Sequence, residues 1–294
     1  MQEHMKSLLS RWRRRHWRAD PKQLEAFAGL APVTVITGAS DGIGRAFASR
    51  LAAQGHTLLL IARTGPDLEA VAADLRAAHP AATIAVLPLD VTGSHAAALI
   101  NATLFQLNGY ADLLINNAGI GLSGPFAEAD EAAVSELLAL NVNAATLLAR
   151  HVLPGMLMRG RGGILFVASL AAYTPGPWQA IYYASKAYLL SLAEALAAET
   201  AGHGVRICCI APGPVETRFH EKMGAEHAFY RHLLPSPSPD RVAALSLRAY
   251  RRGFRVFVPG LVPATFAFAI CLLPHRVTVP IVSFLLRRRV ADTK

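Results

Sequence analysis

Two tyrosines and a lysine open an otherwise apolar helical stretch, IYYASKAYLLSLAEAL (181–196). Tyr182 and Lys186 are four residues apart, so a helix places their side chains on one face. A phenol has a pKa of about 10 in water, and a nearby cation or a helix N-terminus lowers it. The pair predicts a tyrosine that exchanges a proton with a substrate oxygen. An amphipathic helix whose lysine extends past a buried tyrosine has the same spacing.

The rest of the chain predicts an alternating α/β fold that would position this helix. Apolar runs typical of strands lie at 33–40, 56–63, 83–91, 111–119, 162–169, 205–213 and 255–260. Helical patterns lie between most of them, at 43–54, 66–78, 94–108, 130–158, from about 180, and at 239–252. Strands that are apolar throughout indicate a parallel sheet covered on both faces. We therefore expect one doubly wound α/β domain of about seven strands.

A glycine-rich loop, TGASDGIGRAFA (37–48), joins the first predicted strand to the first helix. Glycines let the backbone turn tightly and approach a ligand closely, and the helix N-terminus offers N–H groups to a pyrophosphate. A plain tight turn would use the same residues, but the place of the loop in the strand–loop–helix pattern favours dinucleotide binding. The candidate contacts are Gly38, Ser40, Gly42, Ile43 and Gly44.

The end of the second strand bears on which nicotinamide cofactor would bind. An NAD-selective site places a carboxylate there for the ribose 2′-hydroxyl. This chain has Ala62 followed by Arg63. A guanidinium pairs with a 2′-phosphate through two hydrogen bonds. We expect NADP(H) to be preferred over NAD(H), with a solvated surface arginine as the alternative interpretation.

The motifs TGASDGIG, LDV, NNAG, NV, a serine and YxxxK follow one another in this order. In this combination, over about 33–260, the chain resembles the classical branch of the short-chain dehydrogenase/reductase family. The resemblance implies a Rossmann-type domain at 31–260, between a basic N-terminal extension (1–30) and an apolar and basic C-terminal tail (261–294), both helical. It also implies an NADP(H)-dependent oxidoreductase that interconverts a carbonyl and a secondary alcohol.

The family's catalytic roles are implied for four matching residues. Asn141 would hold a water in a proton relay, and Ser169 would bind the substrate carbonyl. Tyr182 would act as general acid or base, with Lys186 stabilising its phenolate. Tyr183 would be a packing residue.

The family's cofactor contacts are implied at further positions. Asp90 and Val91 match the adenine contact, and Tyr182 and Lys186 also face the cofactor. The NNAG motif and the loop that orients the nicotinamide supply Asn117, Ala118, Gly119, Pro212, Gly213, Val215 and Thr217. Because the catalytic set is complete, turnover is favoured over the alternative, a cofactor-binding scaffold or redox sensor with little or no turnover.

The segment 214–238 occupies the place of the family's substrate lid. Its apolar residues are Met223, Phe229, Tyr230, Leu233 and Leu234. They suit a hydrophobic small-molecule substrate such as a fatty-acyl, steroid-like or other lipid carbonyl, although core residues would look the same. His220, His227 and His232 lack a zinc spacing, and we expect no metal site.

The net charge is +9, and its basic excess is confined to the two ends of the chain: residues 1–22 carry +5 and residues 231–294 carry +9, whereas residues 23–230 carry −5. Residues 1–22 pattern as a basic amphipathic helix, which suits a membrane surface or a disordered arm. The apolar runs 261–273 and 277–286 are each too short to span a bilayer. They would pack on the body or on a second subunit, or lie as a hairpin in a membrane interface. No nucleic-acid-binding fold is indicated, so nucleic acid is not an expected partner.

Assembly and location rest on weaker signals. The helices at 130–158 and 180–200 resemble those with which the family forms dimers, so a homodimer is expected, with a tetramer as the alternative. The N-terminus lacks the apolar segment of a secretory signal. Cys208, Cys209 and Cys271 show no disulfide or metal spacing. We expect a cytoplasmic enzyme, either free or peripheral at the inner face of a membrane.

Overall fold

The computed structural model of the chain describes residue 25, residues 27–224 and residues 235–286. Its centre is a seven-stranded sheet with the order β3-β2-β1-β4-β5-β6-β7, in which all neighbouring strands are parallel. The strands are β1 (Ala31–Thr37), β2 (Thr57–Ala62), β3 (Ile84–Pro88), β4 (Gly109–Asn116), β5 (Gly162–Val167), β6 (Val205–Ile210) and β7 (Val256–Phe257). The predicted Rossmann-type, doubly wound parallel sheet is confirmed.

Helices alternate with the strands as the sequence pattern predicted. They are α1 (Gly42–Ala52), α2 (Gly65–Ala78), α3 (Ala96–Gln106), α4 (Glu131–Leu138), α5 (Ala145–Arg159), α6 (Ala180–Glu199), α7 (Phe219–Lys222), α8 (Pro239–Arg251), α9 (Leu261–Leu272) and α10 (His275–Leu286). Ser238 caps α8 by accepting a hydrogen bond from the backbone N–H of Arg241, and Pro239 occupies the first turn. A serine at the N-cap and a proline in the first turn are both typical of the start of a helix.

Two apolar layers enclose the sheet. Side chains of α3, α5 and α6 pack on one face, and side chains of α1, α2 and α8 pack on the other. The central strands are therefore buried on both sides, as the run from Leu58 to Ile61 shows. This double burial explains why the strands are apolar at every position instead of alternating.

The long helix predicted at 130–158 is divided by a π turn. A π-helical segment, Ala139–Ala144, lies between α4 and α5 and contains Asn141. Together they form one helical stretch, Glu131–Arg159, that is long and apolar enough to cross a membrane by length and composition. In this fold α5 packs against β4 and β5, so the stretch serves as a core helix.

The predicted strands were too long at their carboxyl ends. β1 ends at Thr37 rather than residue 40, β4 at Asn116 rather than 119, and β6 at Ile210 rather than 213. In each case the excess residues leave the sheet and form a loop at the same edge. Ligands bind at this edge in doubly wound folds, so the discrepancy falls on the candidate site.

The C-terminal tail packs on the domain as two consecutive helices, α9 and α10, which we call the C-terminal hairpin. Ile270, Val282 and Leu286 pack with Tyr173 and Tyr183 of the body. The interpretation in which the tail packs on the body is thus supported. The predicted helix within residues 1–22 lies outside the described residues.

Candidate active site

A cavity of about 390 Å³ opens at the carboxyl edge of the sheet, beside the neighbouring strands β1 and β4. In a doubly wound fold this is the point at which the strand order reverses and a ligand binds. Most of the residues predicted from motifs line it: Gly38, Ser40, Gly42, Ile43, Arg63, Asp90, Val91, Asn117, Ala118, Gly119, Ser169, Tyr182, Lys186, Pro212, Gly213, Val215 and Thr217. Gly44 and Asn141 are not part of the lining and act from behind it.

The glycine loop has the close packing that a phosphate loop requires. Gly38 adopts a φ of +64°, which an L side chain rarely adopts. A side chain at Gly44 would overlap the Gly38 carbonyl oxygen and the Asn117 amide. The first turn of α1 therefore lies directly against the loop, and its residues Gly42 and Ile43 line the cavity. The first N–H groups of a helix have no helical partners and suit an anion such as a phosphate.

The NNAG segment joins the ends of β4 and β1. The Thr37 hydroxyl accepts hydrogen bonds from the backbone N–H groups of Asn117 and Ala118, each at 3.0 Å. The Asn117 amide donates to the carbonyl oxygens of Thr37 at 3.0 Å and Gly38 at 3.1 Å. Asn116 donates to the Ala145 carbonyl at 2.7 Å, which fixes the start of α5. The motif thus supports the loop beneath the cofactor position.

Arg63 lies at the predicted place but already has a partner. Its guanidinium pairs with the Glu136 carboxylate of α4 at 2.6 Å, and both side chains are about half exposed. Asp90 is engaged as well, because its carboxylate accepts from the backbone and hydroxyl of Thr92. These hydrogen bonds lower the pKa of Asp90. Desolvation opposes the shift, and the charge of Arg63 adds to it. Sequence reasoning had not identified Glu136 as a neighbour of the candidate 2′-phosphate position.

Two further cations lie beside the glycine loop. Arg218 pairs with the Asp41 carboxylate at 2.9 Å, and the Lys222 ammonium lies 3.8 Å from the same carboxylate. Asp41 also caps α1 by accepting from the N–H of Gly42. Neither cation belongs to a motif: Arg218 is the N-cap residue of α7 and Lys222 is its last residue. Only the fold reveals that they lie next to a candidate phosphate site.

Ser169 and Tyr182 meet at the centre of the cavity. Ser169 follows β5, and its hydroxyl accepts from the N–H of Ala171 at 3.2 Å. Its side chain also hydrogen-bonds that of Tyr182. Tyr182 is buried in the first turn of α6 and packs against Phe219, with ring centres 5.6 Å apart. A carbonyl oxygen placed between the two hydroxyls would have two donors.

The expectation that Lys186 lowers the pKa of Tyr182 is wrong for this structure. Burial raises the pKa of Tyr182 to about 12, and its hydrogen bond with Ser169 opposes that effect only in part. The Lys186 ammonium lies 5.7 Å from the Tyr182 ring centre and donates to the Val167 carbonyl at 3.0 Å. Burial also lowers the pKa of Lys186 to about 8. Desolvation is therefore the largest influence on the pKa of both groups.

Asn141 is fully buried behind Gly119. Its amide nitrogen donates to the Ile120 carbonyl at 2.8 Å and to the Ser185 hydroxyl at 3.1 Å, and its oxygen accepts from the Ile120 N–H at 2.9 Å. Both donor hydrogens are used, so one lone pair of the amide oxygen remains for another donor. The π turn places the side chain here, and such turns are frequent at functional sites. No sequence pattern had indicated a π turn.

The other half of the cavity is apolar; it includes Met223, which was predicted in the lid, and other residues that the sequence reasoning missed. Phe219, Met223 and Leu170 line it, together with Phe266, Val282, Leu285 and Leu286 of the C-terminal hairpin. Gln179 lies at the N-cap of α6 and also lines the cavity. The lid residues Phe229, Tyr230, Leu233 and Leu234 lie outside the described residues, as do His227 and His232. Within residues 27–224 and 235–286, no three His, Cys, Asp or Glu side chains form a cluster that could hold a metal ion.

Comparison with known proteins agrees with this geometry. Residues 32–228 match the family model described as short chain dehydrogenase. A very-long-chain 3-oxoacyl-CoA reductase of Phaeosphaeria nodorum is 35% identical, over 64% of this chain and 56% of that protein. A very-long-chain 3-oxoacyl-CoA reductase-like protein of Arabidopsis thaliana is 32% identical, over 87% and 84%. A short-chain dehydrogenase from Sphingobium yanoikuyae, solved with NADPH, superimposes with a TM-score of 0.73 at 29% identity, covering 90% of this chain and all of that one.

The glycine loop, the parallel sheet and the family match together define a dinucleotide-dependent oxidoreductase class. The chain belongs to the short-chain dehydrogenase/reductase family. The match spans little more than half the length of the fungal reductase. The C-terminal hairpin lies beyond the segment that the family model matches.

Proposed function

We propose that the protein is an NADP(H)-dependent oxidoreductase that interconverts a carbonyl and a secondary alcohol on an apolar substrate. The observation that carries the proposal is the junction of two half-sites at one cavity. A glycine loop lies at one end, an apolar chamber lies at the other, and the Ser169–Tyr182 pair lies between them. Such an arrangement suits hydride transfer followed by protonation of an oxygen.

The residues present fit a nicotinamide dinucleotide. The side-chain-free position at Gly44 and the first turn of α1 suit a pyrophosphate. Arg63, at the end of β2, suits a 2′-phosphate, and this supports NADP(H) over NAD(H). Val91 and the Pro212–Thr217 loop would hold the adenine and nicotinamide ends. When bound, the nicotinamide supplies or accepts the hydride.

The chain's own residues would handle the charge and the proton. Ser169 and Tyr182 hold the carbonyl oxygen and stabilise the negative charge that develops there during reduction. With its pKa raised to about 12, Tyr182 carries its proton at neutral pH and can donate it. Lys186, charged below about pH 8, then stabilises the phenolate. The free lone pair on Asn141 is suited to holding a water that returns the proton.

The apolar half of the cavity supports a hydrophobic substrate. Aromatic and aliphatic side chains from α7 and the C-terminal hairpin line it, and the cavity also contains Ser169 and Tyr182. The names of the fungal and plant relatives point to long acyl chains. A lipid, fatty-acyl or steroid-like carbonyl therefore fits the chamber best.

The alternative is an NADP(H)-binding scaffold or redox sensor with little turnover. The complete set Asn141, Ser169, Tyr182 and Lys186 weighs against it. The test is to measure cofactor consumption by the parent and by Tyr182→Phe with a panel of apolar ketones and NADPH. We expect the parent to turn over and the variant to bind NADPH but lose turnover. Cofactor binding without turnover of any ketone or alcohol by the parent would favour the scaffold.

We also propose a homodimer, with a tetramer as the alternative, assembled through α5 and α6. Both helices expose large apolar side chains, namely Leu147, Met158 and Tyr188. The small residues Ala184 and Ala187 allow a second helix to approach closely. Light scattering without detergent should give twice the chain mass, and Leu147→Glu should reduce it to one chain. A monomeric parent would contradict the assembly.

A further inference from the structure

The C-terminal hairpin has an apolar surface on both sides. Its inner side chains, among them Ala267, Ile270 and Val282, are buried against the body. The outer side chains are equally apolar and largely exposed: Leu261 by 81%, Phe268 by 68%, Leu272 by 69% and Phe284 by 60%, with Val277 and Ile281 beside them. A surface helix of a water-facing domain is normally polar on its outer side. This surface, the outer hairpin face, therefore calls for a partner.

The preceding helix shows that this is a property of the hairpin alone. α8 buries Val242, Ala243 and Leu247 and turns Arg241 and Arg248 outward. It is an ordinary amphipathic helix. The apolar outer side begins only at α9, so it does not reflect the general composition of this end of the chain.

The charge pattern indicates which partner fits. Between residues 241 and 291 the sequence contains nine arginines and no Asp or Glu. Arg276 is exposed at the start of α10, next to the outer hairpin face. A second copy docking through the same face would bring like charges together, which opposes association. An anionic lipid surface would complement both the apolar side chains and the arginines.

The hairpin is also continuous with the active-site cavity. Phe266, Val282, Leu285 and Leu286 line the apolar half of the cavity from the opposite side of the same two helices. Each helix has 12 residues and is about 18 Å long, too short for a hydrocarbon core of about 30 Å. The hairpin can therefore lie in the interface plane but cannot cross it.

We infer that the outer hairpin face docks on an anionic lipid bilayer and places the apolar half of the cavity beside the acyl chains. This deepens the proposed function, because an apolar substrate could then enter from the bilayer without crossing water. The docking itself depends only on the outer side chains and the arginines, so it can be tested without turnover.

The chain provides its own probe. Cys271 lies on α9 and is exposed, whereas the other two cysteines, Cys208 and Cys209, are buried. A polarity-sensitive maleimide dye attached to Cys271 should increase in emission with vesicles of phosphatidylcholine and phosphatidylglycerol. Nitroxide lipids labelled in the acyl chain should quench it, and pure phosphatidylcholine should give a weaker response. No increase in emission with anionic vesicles would overturn the inference. The same increase on raising the protein concentration without vesicles would also overturn it and would indicate a second copy as the partner.

Matched variants separate docking from folding and catalysis. The double change Phe268→Ser and Phe284→Ser should weaken vesicle binding by about tenfold or more, because two large apolar side chains are removed from the contact. Phe105→Ser, on α3 and 85% exposed in the parent, should leave binding unchanged. The double variant should reduce a water-soluble ketone at the parent rate, since neither phenylalanine lines the cavity. Undiminished binding by the double variant would overturn the docking, whereas vesicle binding without any turnover by the parent would overturn only the proposed function.

Discussion

The two ends of the cavity are built in opposite ways. We call the end with the glycine loop, where we propose that the cofactor binds, the nucleotide end; it is built from backbone groups and small side chains. There Gly38, Gly44, Thr37 and Asn117 are held together by hydrogen bonds and close approaches. At the substrate end, large apolar side chains from α7 and the C-terminal hairpin make a chamber with few hydrogen bonds. The first end tolerates little change in shape, whereas the second can be enlarged or reduced one side chain at a time.

The largest expected effect is at the nucleotide end. Gly44→Val should abolish cofactor binding, because a side chain there overlaps the Gly38 carbonyl and the Asn117 amide. Fluorescence titration with NADPH would measure the loss. Gly55→Ala is the matched control, since Gly55 has no neighbour within 4 Å of an added side chain. Its positive φ costs some stability but should leave NADPH affinity intact. Normal NADPH binding by Gly44→Val would show that the loop is not the phosphate site.

Tyr182→Phe should lower turnover by at least about a hundredfold, the lower range for general acid catalysis, and leave NADPH affinity nearly unchanged. Tyr183→Phe is the matched control on the adjacent residue and should be mild, because the Tyr183 ring packs between the body and the hairpin. Steady-state rates with one ketone compare the two. If Tyr183→Phe proved the more damaging, the assignment of the acid to Tyr182 would be wrong.

Lys186 should show a conflict between catalysis and stability. Its folded-state pKa is lowered from 10.5 to about 8, so keeping it charged at neutral pH costs about 3 kcal/mol of folding free energy. Lys186→Met loses a charge-assisted hydrogen bond to the Val167 carbonyl worth about 1.5–3 kcal/mol, so we expect a net gain of only about 0–1.5 kcal/mol in unfolding free energy, with turnover lost.

Denaturant unfolding at several pH values measures this effect. Between about pH 8 and 10.5 the unfolded parent binds more protons than the folded parent, so parent stability should rise with pH in that window. The variant should lack this rise. A variant less stable than the parent at pH 7, with the same pH dependence, would mean that Lys186 is not desolvated as the structure indicates.

Cofactor selectivity should respond to both members of the Arg63–Glu136 pair. Arg63→Ala should weaken NADPH binding by about tenfold, near the lower limit for a hydrogen bond to a charged group, because Arg63 is half exposed. Glu136→Gln should strengthen it about two- to fivefold by removing a competitor for the guanidinium. Affinity for NADH should change little in either variant. Equal affinities of the parent for NADPH and NADH would contradict the selectivity.

A modest effect, similar in size to that of Arg63→Ala, is expected at the substrate end. Val282→Ala shortens a side chain that lines the apolar chamber, so it enlarges the chamber and leaves the residues of the glycine loop unchanged. We expect the preferred ketone to be one or two carbons longer than that of the parent. The ratio of kcat/KM for the longer ketone to that for the shorter one should rise about 10-fold, which is the effect of about one methylene in a hydrophobic pocket. NADPH affinity is the internal control. An unchanged chain-length profile would mean that the substrate does not reach the hairpin.

The same contrast explains what could be predicted from the sequence. Glycines, the NNAG segment and the Tyr182–Lys186 spacing are local features whose chemistry requires fixed residue types. They pointed to residues that the fold gathers at one cavity, and the alternating sheet was predicted well. Other charged residues reach the site only through the tertiary structure. Glu136 lies on α4, and Arg218 and Lys222 lie at the two ends of α7. The π turn at Asn141 has no residue pattern that distinguishes it from an ordinary helix. The direction in which the pKa of Tyr182 shifts depends on how deeply the phenol is buried, and the Tyr182–Lys186 spacing in the sequence does not determine that.

The most direct test of the account is NADPH consumption by the intact protein with unbranched ketones of increasing chain length, at fixed pH and ionic strength. The account predicts that kcat/KM rises with chain length as the apolar chamber fills, then levels off, and that NADH supports a much lower rate throughout. A protein that binds NADPH but consumes none with any ketone in the series, in the presence or absence of anionic vesicles, would contradict it.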